Sequence, residues 1–350
     1  MAHRPARSVV TEVELSASDR PLARSFHTRR DAREGACPGT RLAPACGSDS
    51  RSLAAADQGR RRRGSRSPPR PSLCLSLGGK PGKGSPRLEV AAGKWGRDRR
   101  IRADELRQLE PALSRDYVRG VLVRENGHIS NPLGLVQRLL EHFLCSGGEL
   151  VQARAHGFRL DGRQLAAVQT DAGDLPANAA IICAGAHSKP LAVALGDRVP
   201  LETERGYHLM VRDPEIMPRI PTADADGKFV ATPMDTGLRF AGTVELAGLA
   251  APPDWRRARI LLAQGRKMLP GLAASYPEER ISLWMGHRPS LPDSLPVLGP
   301  SRASPDVVYA FGHGHVGMTA APMTGKVVAD LVAGRPPSID IAPFAAGRFG

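Results

Sequence analysis

A helix is the clearest element that the pattern of apolar positions predicts. In ISNPLGLVQRLLEHFLCSGG (residues 129–148), apolar side chains recur three and four residues apart, as they do on one face of an α-helix. Ser130 and Asn131 offer a side-chain cap, and Pro132 suits the first helical position. The pattern therefore predicts an amphipathic helix that begins at Pro132 and ends before Gly147, a common terminating residue.

Strand patterns follow this helix along the chain. LVQARAHGFRL and LAAVQT flank an Asp161-Gly162 turn, which predicts an antiparallel pair. NAAIICAGA (178–186) is a short apolar run, typical of a strand buried on both faces. FVATP, LRFAGTVEL and VVYAF predict further strands, and DWRRARILLAQGRKML predicts an amphipathic helix. This order predicts a mixed α/β (α+β) fold with a separate antiparallel sheet.

The first part of the chain has a different character. Residues 1–90 show no sustained helical or strand period, and Phe26 is their only aromatic residue. Residues 1–100 hold 22 Lys+Arg and 9 Asp+Glu, a net charge of +13, whereas the rest of the chain has a net charge of +1. We therefore predict that residues 1–95 are a basic, low-complexity segment, either disordered or translated out of frame, and that residues 96–350 form the folded domain.

The arginine run GRRRRGSRSPPRPS (59–72) has two interpretations. Clustered arginines neutralise phosphates, as in a nucleic-acid-binding arm. No aromatic residue is interleaved to stack on bases, which favours a solvated, disordered tail. No specific nucleic-acid partner is therefore expected.

The cysteines and the apolar stretches limit the cellular location. The five cysteines show neither Cys-x-x-Cys spacing nor a nearby histidine pair at zinc-site spacing, so neither a disulfide framework nor a metal site is predicted. The chain shows no signal-peptide core at its start, and no apolar stretch approaches 18 residues. These features predict a cytoplasmic protein.

A glycine-rich turn follows the VVYAF strand. In VVYAFGHGHVG (307–317) the glycines have the Gly-x-Gly-x-x-Gly spacing of dinucleotide-binding turns. That fingerprint also needs a second strand carrying an acidic residue, and the candidate SIDI (338–341) is hemmed in by prolines. A pyrophosphate role is therefore not predicted. The glycines still permit close approach of a flat ligand, and amides at the start of the next helix could donate to its anionic edge.

Four motifs in order carry a family resemblance. They are PLETERGYHLMV (200–211), LRFAGTVELAG (238–248), WMGHRPSLPDSLPVLG (284–299) and GHGHVGMTAAPMTGKVVADLVAG (312–334). Together they resemble the D-amino-acid oxidase superfamily, most closely the small subunit of bacterial D-amino-acid dehydrogenase. The resemblance covers residues 101–350.

The resemblance implies a fold and a reaction. The fold would be an FAD/NAD(P)-binding Rossmann-like domain, with elements at 178–188 and 305–335, interleaved with an antiparallel substrate-binding sheet at about 200–290. The reaction would be FAD-dependent oxidation of a D-amino acid to an imino acid, and then to a 2-oxo acid and ammonia. A quinone or another acceptor would take the electrons, either in the cytoplasm or peripherally at the inner face of the plasma membrane.

The resemblance also implies roles for particular residues of these motifs. Arg288, in GHRPSLPD, would bind the substrate carboxylate, for which a planar guanidinium is well suited. Tyr207, in RGYH, would place its hydroxyl on the same carboxylate or else be a packing residue. The expected cofactor-binding residues are Gly185, Gly312, Gly314, His315, Gly317, Met318 and Thr319. Arg239 and Glu245 receive no role, because an unbroken strand would put both on one face.

The sequence also departs from the family pattern. The family begins with a strand, a Gly-x-Gly-x-x-Gly turn and a helix that hold the FAD pyrophosphate, and residues 1–100 contain no such unit. Two alternatives to a working D-amino-acid dehydrogenase therefore stay open. One is a non-functional, truncated or frameshifted remnant, and the other is a glycine- or sarcosine-type amine oxidase.

Overall fold

The computed structural model describes residues 9–11, 72–77, 99–124 and 126–350. The helices are α1 (Ala103–Leu109), α2 (Pro132–Cys145), α3 (Ser188–Ala194), α4 (Arg256–Met268) and α5 (Gly317–Val332). The strands are, in chain order, β1 (Val9–Thr11), β2 (Ser72–Leu77), β3 (Arg99–Arg102), β4 (Tyr117–Val123), β5 (Glu149–Val151), β6 (Ala155–Asp161), β7 (Gln164–Thr170), β8 (Gly173–Pro176), β9 (Ala180–Ile182), β10 (Glu202–Val211), β11 (Thr222–Asp224), β12 (Phe229–Met234), β13 (Gly237–Glu245), β14 (Ile281–Ser290), β15 (Val297–Pro300) and β16 (Val307–Phe311).

An eight-stranded sheet has the order β14-β10-β13-β12-β11-β2-β4-β3. Its pairs are antiparallel except for β11 with β2, which run parallel. The strands from β10 to β14 correspond to the region of residues 200–290 where an antiparallel sheet is predicted. The mixed α/β fold class predicted from the sequence is thereby confirmed.

One face of this sheet forms the larger hydrophobic core. Leu209 and Phe240, on adjacent strands, share a buried cluster with Leu261 and Met268 of α4. Leu261 and Met268 are seven residues apart, which puts them on the same face of that helix. The helix predicted from DWRRARILLAQGRKML is therefore confirmed as α4. Its burial leaves the opposite face of the sheet as the one that can receive a ligand.

Strand β2 differs from the sequence-based expectation. It lies inside the segment 1–95 for which no regular structure is predicted, yet it pairs with β11 on one side and β4 on the other. Leu73 and Leu75 have at most 1% of their surface exposed. The alternation in SLCLSL explains this outcome, since every second residue of a strand points to the same face.

A smaller sheet has the order β15-β16-β9, in which β16 and β9 run parallel. All five residues of β16 are buried. The Tyr309 hydroxyl donates a hydrogen bond to Asp197 Oδ2 at 2.7 Å. In β9, Ile182 is buried but Ile181 is 46% exposed, so this strand is covered on one face only among the described residues. Burial on both faces, expected from its apolar run, is therefore wrong.

The other predicted elements have the expected positions. β6 and β7 form the antiparallel hairpin around the Asp161-Gly162 turn, and β8 extends it. α2 begins at Pro132, and the Asn131 side chain accepts a hydrogen bond from the Gly134 amide at 2.8 Å, as the sequence predicts. The described residues fully bury none of the side chains of α2, so its apolar stripe is partly exposed.

Candidate active site

The candidate site lies on the face of β10 and β14 that points away from α4. Three cross-strand pairs of these antiparallel strands define it: Glu204 with Arg288, Gly206 with Gly286, and His208 with Trp284. Because alternate residues of a strand share a face, these six residues lie on the same side of the sheet. An arginine, a histidine, a glutamate and a tryptophan thus surround a pair of glycines.

The two glycines make room for the large side chains. A Cβ atom at Gly206 would lie 2.1 Å from Nη2 of Arg288, and one at Gly286 would lie 1.9 Å from the Trp284 ring. The guanidinium therefore lies directly over the backbone of β10, and the indole folds back over β14. Trp284 stacks on His208 with ring centroids 4.9 Å apart and stays 41% exposed.

Arg288 has unused hydrogen-bonding capacity. Its Nη1 atom is buried and has no hydrogen-bond partner among the described residues. Burial lowers the pKa of the guanidinium, and the nearby Glu204 carboxylate partly offsets this by raising it. A buried cationic donor without an acceptor is costly. The arrangement is suited to an anionic ligand that can accept from it.

Arg239 is brought to the same face by an irregularity in β13. Between Tyr207 and His208 the β10–β13 register shifts, so that Tyr207 pairs with Thr243 and His208 with Ala241. Gly242 is the extra residue of this bulge, and a Cβ there would lie 2.6 Å from the Lys228 carbonyl oxygen.

The bulge separates two residues that an unbroken strand would place together. Arg239 pairs with Met210 on the face of His208, whereas Glu245 pairs with Arg205 on the opposite face. The expectation that Arg239 and Glu245 share a face is therefore wrong. The Nε atom of Arg239 is buried without a hydrogen-bond partner in the described residues.

His208 is a neutral histidine in this setting. Burial lowers the pKa of its imidazole from 6.5 to about 4, and the Arg239 charge contributes to the lowering. The ring therefore carries no positive charge near neutral pH. It contributes a flat polar surface, backed by Trp284, rather than a further cation.

Tyr207 lies on the opposite face from Arg288. It is 1% exposed, and its hydroxyl donates to Glu245 Oε2 at 2.5 Å and accepts from the Asp254 amide at 3.0 Å. Burial, and then the Glu245 hydrogen bond, raise the pKa of its hydroxyl. The structure does not bring Tyr207 to Arg288, and it supports the packing alternative for this residue.

The glycine turns meet where β9 and β16 end. The two parallel strands lead into short 3-10 turns at 185–187 and 314–316, which are followed by α3 and α5. Gly185, Gly312 and Gly314 have φ values of +54°, +87° and +51°, the left-handed region that glycine adopts without strain. The carboxyl ends of parallel strands are a common ligand-binding edge.

These turns lie against the end of β14 that carries Arg288. Gly314 approaches Ser290, with 3.7 Å between a Cβ built at Gly314 and the Ser290 Oγ atom. His315 Nε2 is 3.7 Å from Glu204 Oε2, and Glu204 is the cross-strand partner of Arg288. The glycine turn and the arginine therefore belong to one neighbourhood.

The start of α5 supplies the predicted amide donors. Gly317, Met318 and Thr319 are its first three residues, whose backbone N–H groups have no partner within an α-helix. Before them, His313 Nε2 lies 2.9 Å from Thr324 Oγ1, and burial lowers the pKa of its imidazole. Residues 338–341, the candidate second strand of the fingerprint, do not form a strand.

The open backbone of these turns fits a flat cofactor. No atom lies within 4 Å of a Cβ built at Gly185, and Met318 is 51% exposed beside the turn. An exposed apolar side chain next to open glycine backbone and free helix amides suits an aromatic ring with a polar edge. The residues that would contact such a ring are those of the turns at 185–187 and 312–317.

Metal clusters and membrane-spanning helices are both absent from the part of the chain that the structure describes. Within the described ranges, no group of three or more His, Cys, Asp or Glu side chains is placed to hold a metal ion. Among the helices of the same ranges, none has both the length and the apolar character needed to cross a bilayer.

Comparisons with known proteins agree with this geometry. The sequence profile of the FAD dependent oxidoreductase (DAO) family matches residues 57–331. A D-amino-acid oxidase of Bradyrhizobium diazoefficiens is 49% identical over 249 residues, which cover 71% of this chain and 59% of that protein. D-amino acid dehydrogenase 2 of Mesorhizobium japonicum is 31% identical over 248 residues, with 68% and 58% covered.

The fold has a solved counterpart. Glycine oxidase from Geobacillus kaustophilus superposes with a TM-score of 0.71 at 20% identity, covering 85% of this chain and 80% of the other. The fold of this chain is thus consistent with the family whose profile it matches. The chain belongs to the DAO family of FAD-dependent oxidoreductases, and its cofactor is FAD. It spans about three fifths of the length of the curated relatives named above.

Several residues of the site have no assigned role in the sequence analysis. Gly206, Gly286 and Trp284 gain theirs only from cross-strand pairing with β10 or β14. Arg239 receives no role from the sequence, because counting positions along a regular strand places it on the same face as Glu245. A glycine inside the strand pattern, Gly242, was the available signal of a bulge.

Proposed function

We propose that this protein catalyses the FAD-dependent oxidative deamination of a D-amino acid, with the substrate carboxylate bound by Arg288. The observation that carries the proposal is the buried, unpaired Nη1 atom of Arg288 beside the glycine turn. Two of its relatives are a D-amino-acid oxidase and a D-amino acid dehydrogenase, which supports this substrate class.

Arg288 would fix the orientation of the substrate. A guanidinium can donate two parallel hydrogen bonds to one carboxylate, which sets both the position and the plane of that group. Each hydrogen bond to a charged group is worth about 1.5–3 kcal/mol. Gly206 supports this role, because its missing side chain lets the guanidinium lie flat over β10.

The redox chemistry belongs to the cofactor. Bound FAD would accept the Cα hydride of the substrate, and thus two electrons, while loss of an amino proton gives the imino acid that water converts to a 2-oxo acid and ammonia. The backbone amides of Gly317, Met318 and Thr319 would stabilise negative charge at the edge of the ring. A helix terminus contributes about 0.3–1 kcal/mol to such a charge, so these amides adjust the cofactor rather than anchor it.

This proposal assigns substrate binding and cofactor binding to different parts of the chain. Residues 200–290 would be the substrate-binding sheet, and residues 178–188 and 305–335 would contact the flavin. A quinone or another acceptor would reoxidise the cofactor, in the cytoplasm or at the inner face of the plasma membrane. Two arrangements support the division: Arg288 lies on the sheet, and the glycine turns follow β9 and β16.

A glycine-type amine oxidase is the second candidate. One solved structure with this fold is a glycine oxidase, and so is a relative from Pseudomonas aeruginosa that is 28% identical. Both reactions need a carboxylate-binding arginine, so Arg288 does not separate them. A panel of glycine, sarcosine and the D- and L-isomers of alanine would separate them by rate.

The test is reconstitution of the full chain with FAD. After removal of unbound cofactor, we expect retained flavin absorbance that D-alanine bleaches without oxygen and L-alanine does not. Arg288→Met should retain flavin and bleach with D-alanine only at much higher substrate concentration. Retained flavin that no amino acid bleaches contradicts the proposed reaction. Loss of all flavin from a folded chain supports a non-functional remnant.

A further inference from the structure

We propose that Arg239 is a second anion-binding residue of the site and that the preferred substrates are D-amino acids with a carboxylate side chain, such as D-aspartate or D-glutamate. This inference rests on the proposed function and names its substrate class. It begins from Arg239, a second arginine on the site face, whose buried Nε atom has no hydrogen-bond partner in the described residues.

The two arginines act on neighbouring positions of β10. The Arg288 guanidinium lies over Gly206, and the charge of Arg239 acts on His208. Gly206 and His208 are two residues apart on one face, a separation of about 7 Å at the rise of an antiparallel strand. Two cationic groups that act on neighbouring positions of one strand face suit the two carboxylates of a short dicarboxylate.

In the part of the chain that the structure describes, no carboxylate pairs with Arg239 to balance its charge. Among the described residues, neither Arg239 nor Arg288 forms an ion pair with a carboxylate. The neighbours of Arg239 on this face are Met210 and His208 of β10 and Thr232 of β12, and His208 is held neutral. A buried guanidinium without a counter-charge is unfavourable, and a second substrate carboxylate would supply the missing charge.

The missing counter-charge of Arg239 also predicts which substrates the site prefers. A substrate with a methyl side chain leaves Arg239 desolvated and unpaired, whereas a substrate with a carboxylate side chain pairs it. Sites that hydrogen-bond a polar group discriminate strongly against analogues that lack it. Glu204, the acidic group of the site, lies beside Arg288 at the opposite end of the same face and does not neutralise Arg239.

A binding measurement separates the two arginines without relying on turnover. Succinate and butyrate are matched four-carbon acids that differ by one carboxylate, and their binding to the FAD-saturated full chain can be measured by titration calorimetry. We expect succinate to bind at least about tenfold more tightly than butyrate, a difference of about 1.4 kcal/mol. Arg239→Met should remove this preference, so that succinate and butyrate bind with similar affinity.

Further variants control the experiment. Arg239→Lys keeps the charge and should keep part of the preference, whereas Arg256→Met removes an exposed arginine of α4 and should change nothing. Turnover provides a second readout, because Arg239→Met should raise the KM for D-aspartate by a larger factor than the KM for D-alanine.

The outcomes distinguish this inference from the proposed function. Equal binding of succinate and butyrate to the unaltered chain overturns the role of Arg239 and leaves that of Arg288 intact. A preference that survives Arg239→Met overturns it as well. If the folded chain binds neither acid, both the carboxylate site of Arg288 and the inference built on it are contradicted.

Discussion

The guanidinium of Arg288 lies directly against Gly206 of the neighbouring strand, so closely that a Cβ at that glycine would be 2.1 Å from Nη2. The glycine and the arginine are therefore coupled through close packing. The absence of a side chain at one position sets the orientation of a cation at the other. This relationship makes Gly206 as specific a test of the site as Arg288.

Gly206→Ala should displace the arginine and leave the fold intact. The clash falls on the far end of a flexible side chain, so the strand can keep its pairing while Arg288 moves. We expect the KM for D-alanine to rise about tenfold or more, as loss of one charge-assisted hydrogen bond implies. Steady-state kinetics of the FAD-loaded chain measures this.

Gly325→Ala is the matched control for that variant. Gly325 lies in α5, and no atom lies within 4 Å of a Cβ built there. This change should leave the KM unaltered and stabilise the helix slightly, because alanine is the better helix former. A similar rise in KM for both variants would assign the effect to general loosening rather than to Arg288.

Tyr207→Phe should lower stability more than substrate binding. The hydroxyl that it removes is buried and donates to the Glu245 carboxylate, a hydrogen bond worth about 1.5–3 kcal/mol. Urea denaturation should show this loss in the free energy of unfolding, with the KM for D-alanine nearly unchanged. A large rise in KM without a stability loss would instead restore Tyr207 to the substrate carboxylate.

Arg205→Met should be among the most destabilising single changes in the eight-stranded sheet. Arg205 is fully buried and donates to the carbonyl oxygens of Gly248, Ala251 and Pro252 as well as to Glu245. Breaking a buried charged pair costs about 3–5 kcal/mol.

Chemical denaturation of the unaltered protein and of Arg205→Met measures this loss of stability. Arg256→Met, at an exposed ion pair with Asp254, is the comparison variant and should change the unfolding midpoint little. Equal midpoints for the two variants would show that the buried contacts of Arg205 contribute no more than surface ones.

His208 should make the protein less stable in mild acid. Its folded pKa of about 4 is below its ordinary value of 6.5, so the unfolded chain binds a proton in this window and the folded chain does not. The free energy of unfolding should therefore fall as the pH is lowered from about 6.5 to about 4, and this contribution should level off below that range.

The variant His208→Gln should flatten that dependence. His142→Gln, at an exposed position of α2, is the control and should keep the original pH profile. Unfolding followed at several pH values between 4 and 6.5 measures the slope for each chain. An unchanged slope in His208→Gln would mean that other groups cause the acid sensitivity.

Local sequence patterns predict much of the fold because the forces involved are local. The cap and proline before α2 and the glycine after it delimit that helix correctly, and the Asp161-Gly162 turn indicates the β6–β7 hairpin. β2 shows a limit of this approach. Its six residues alternate, but they lie in a segment that shows no sustained period, and they gain their partners from strands far along the chain.

The candidate site is harder to predict from the sequence, because strands that are distant along the chain bring its residues together. Arg288 is found through the motif around it, but Tyr207 is placed by a network on the opposite face that involves Glu245 and Asp254. Trp284 and the two glycines acquire their roles through the register of β10 with β14. Register depends on the whole sheet, and no short stretch of sequence encodes it.

The bulge at Gly242 has a consequence for how this strand can change in evolution. Deleting that one residue would restore regular alternation while every other residue of the strand keeps its cross-strand partner and its face. Arg239 and Glu245 would then be five positions apart, and a regular strand would keep them on opposite faces. A one-residue deletion in β13 should therefore be tolerated best at the bulge itself.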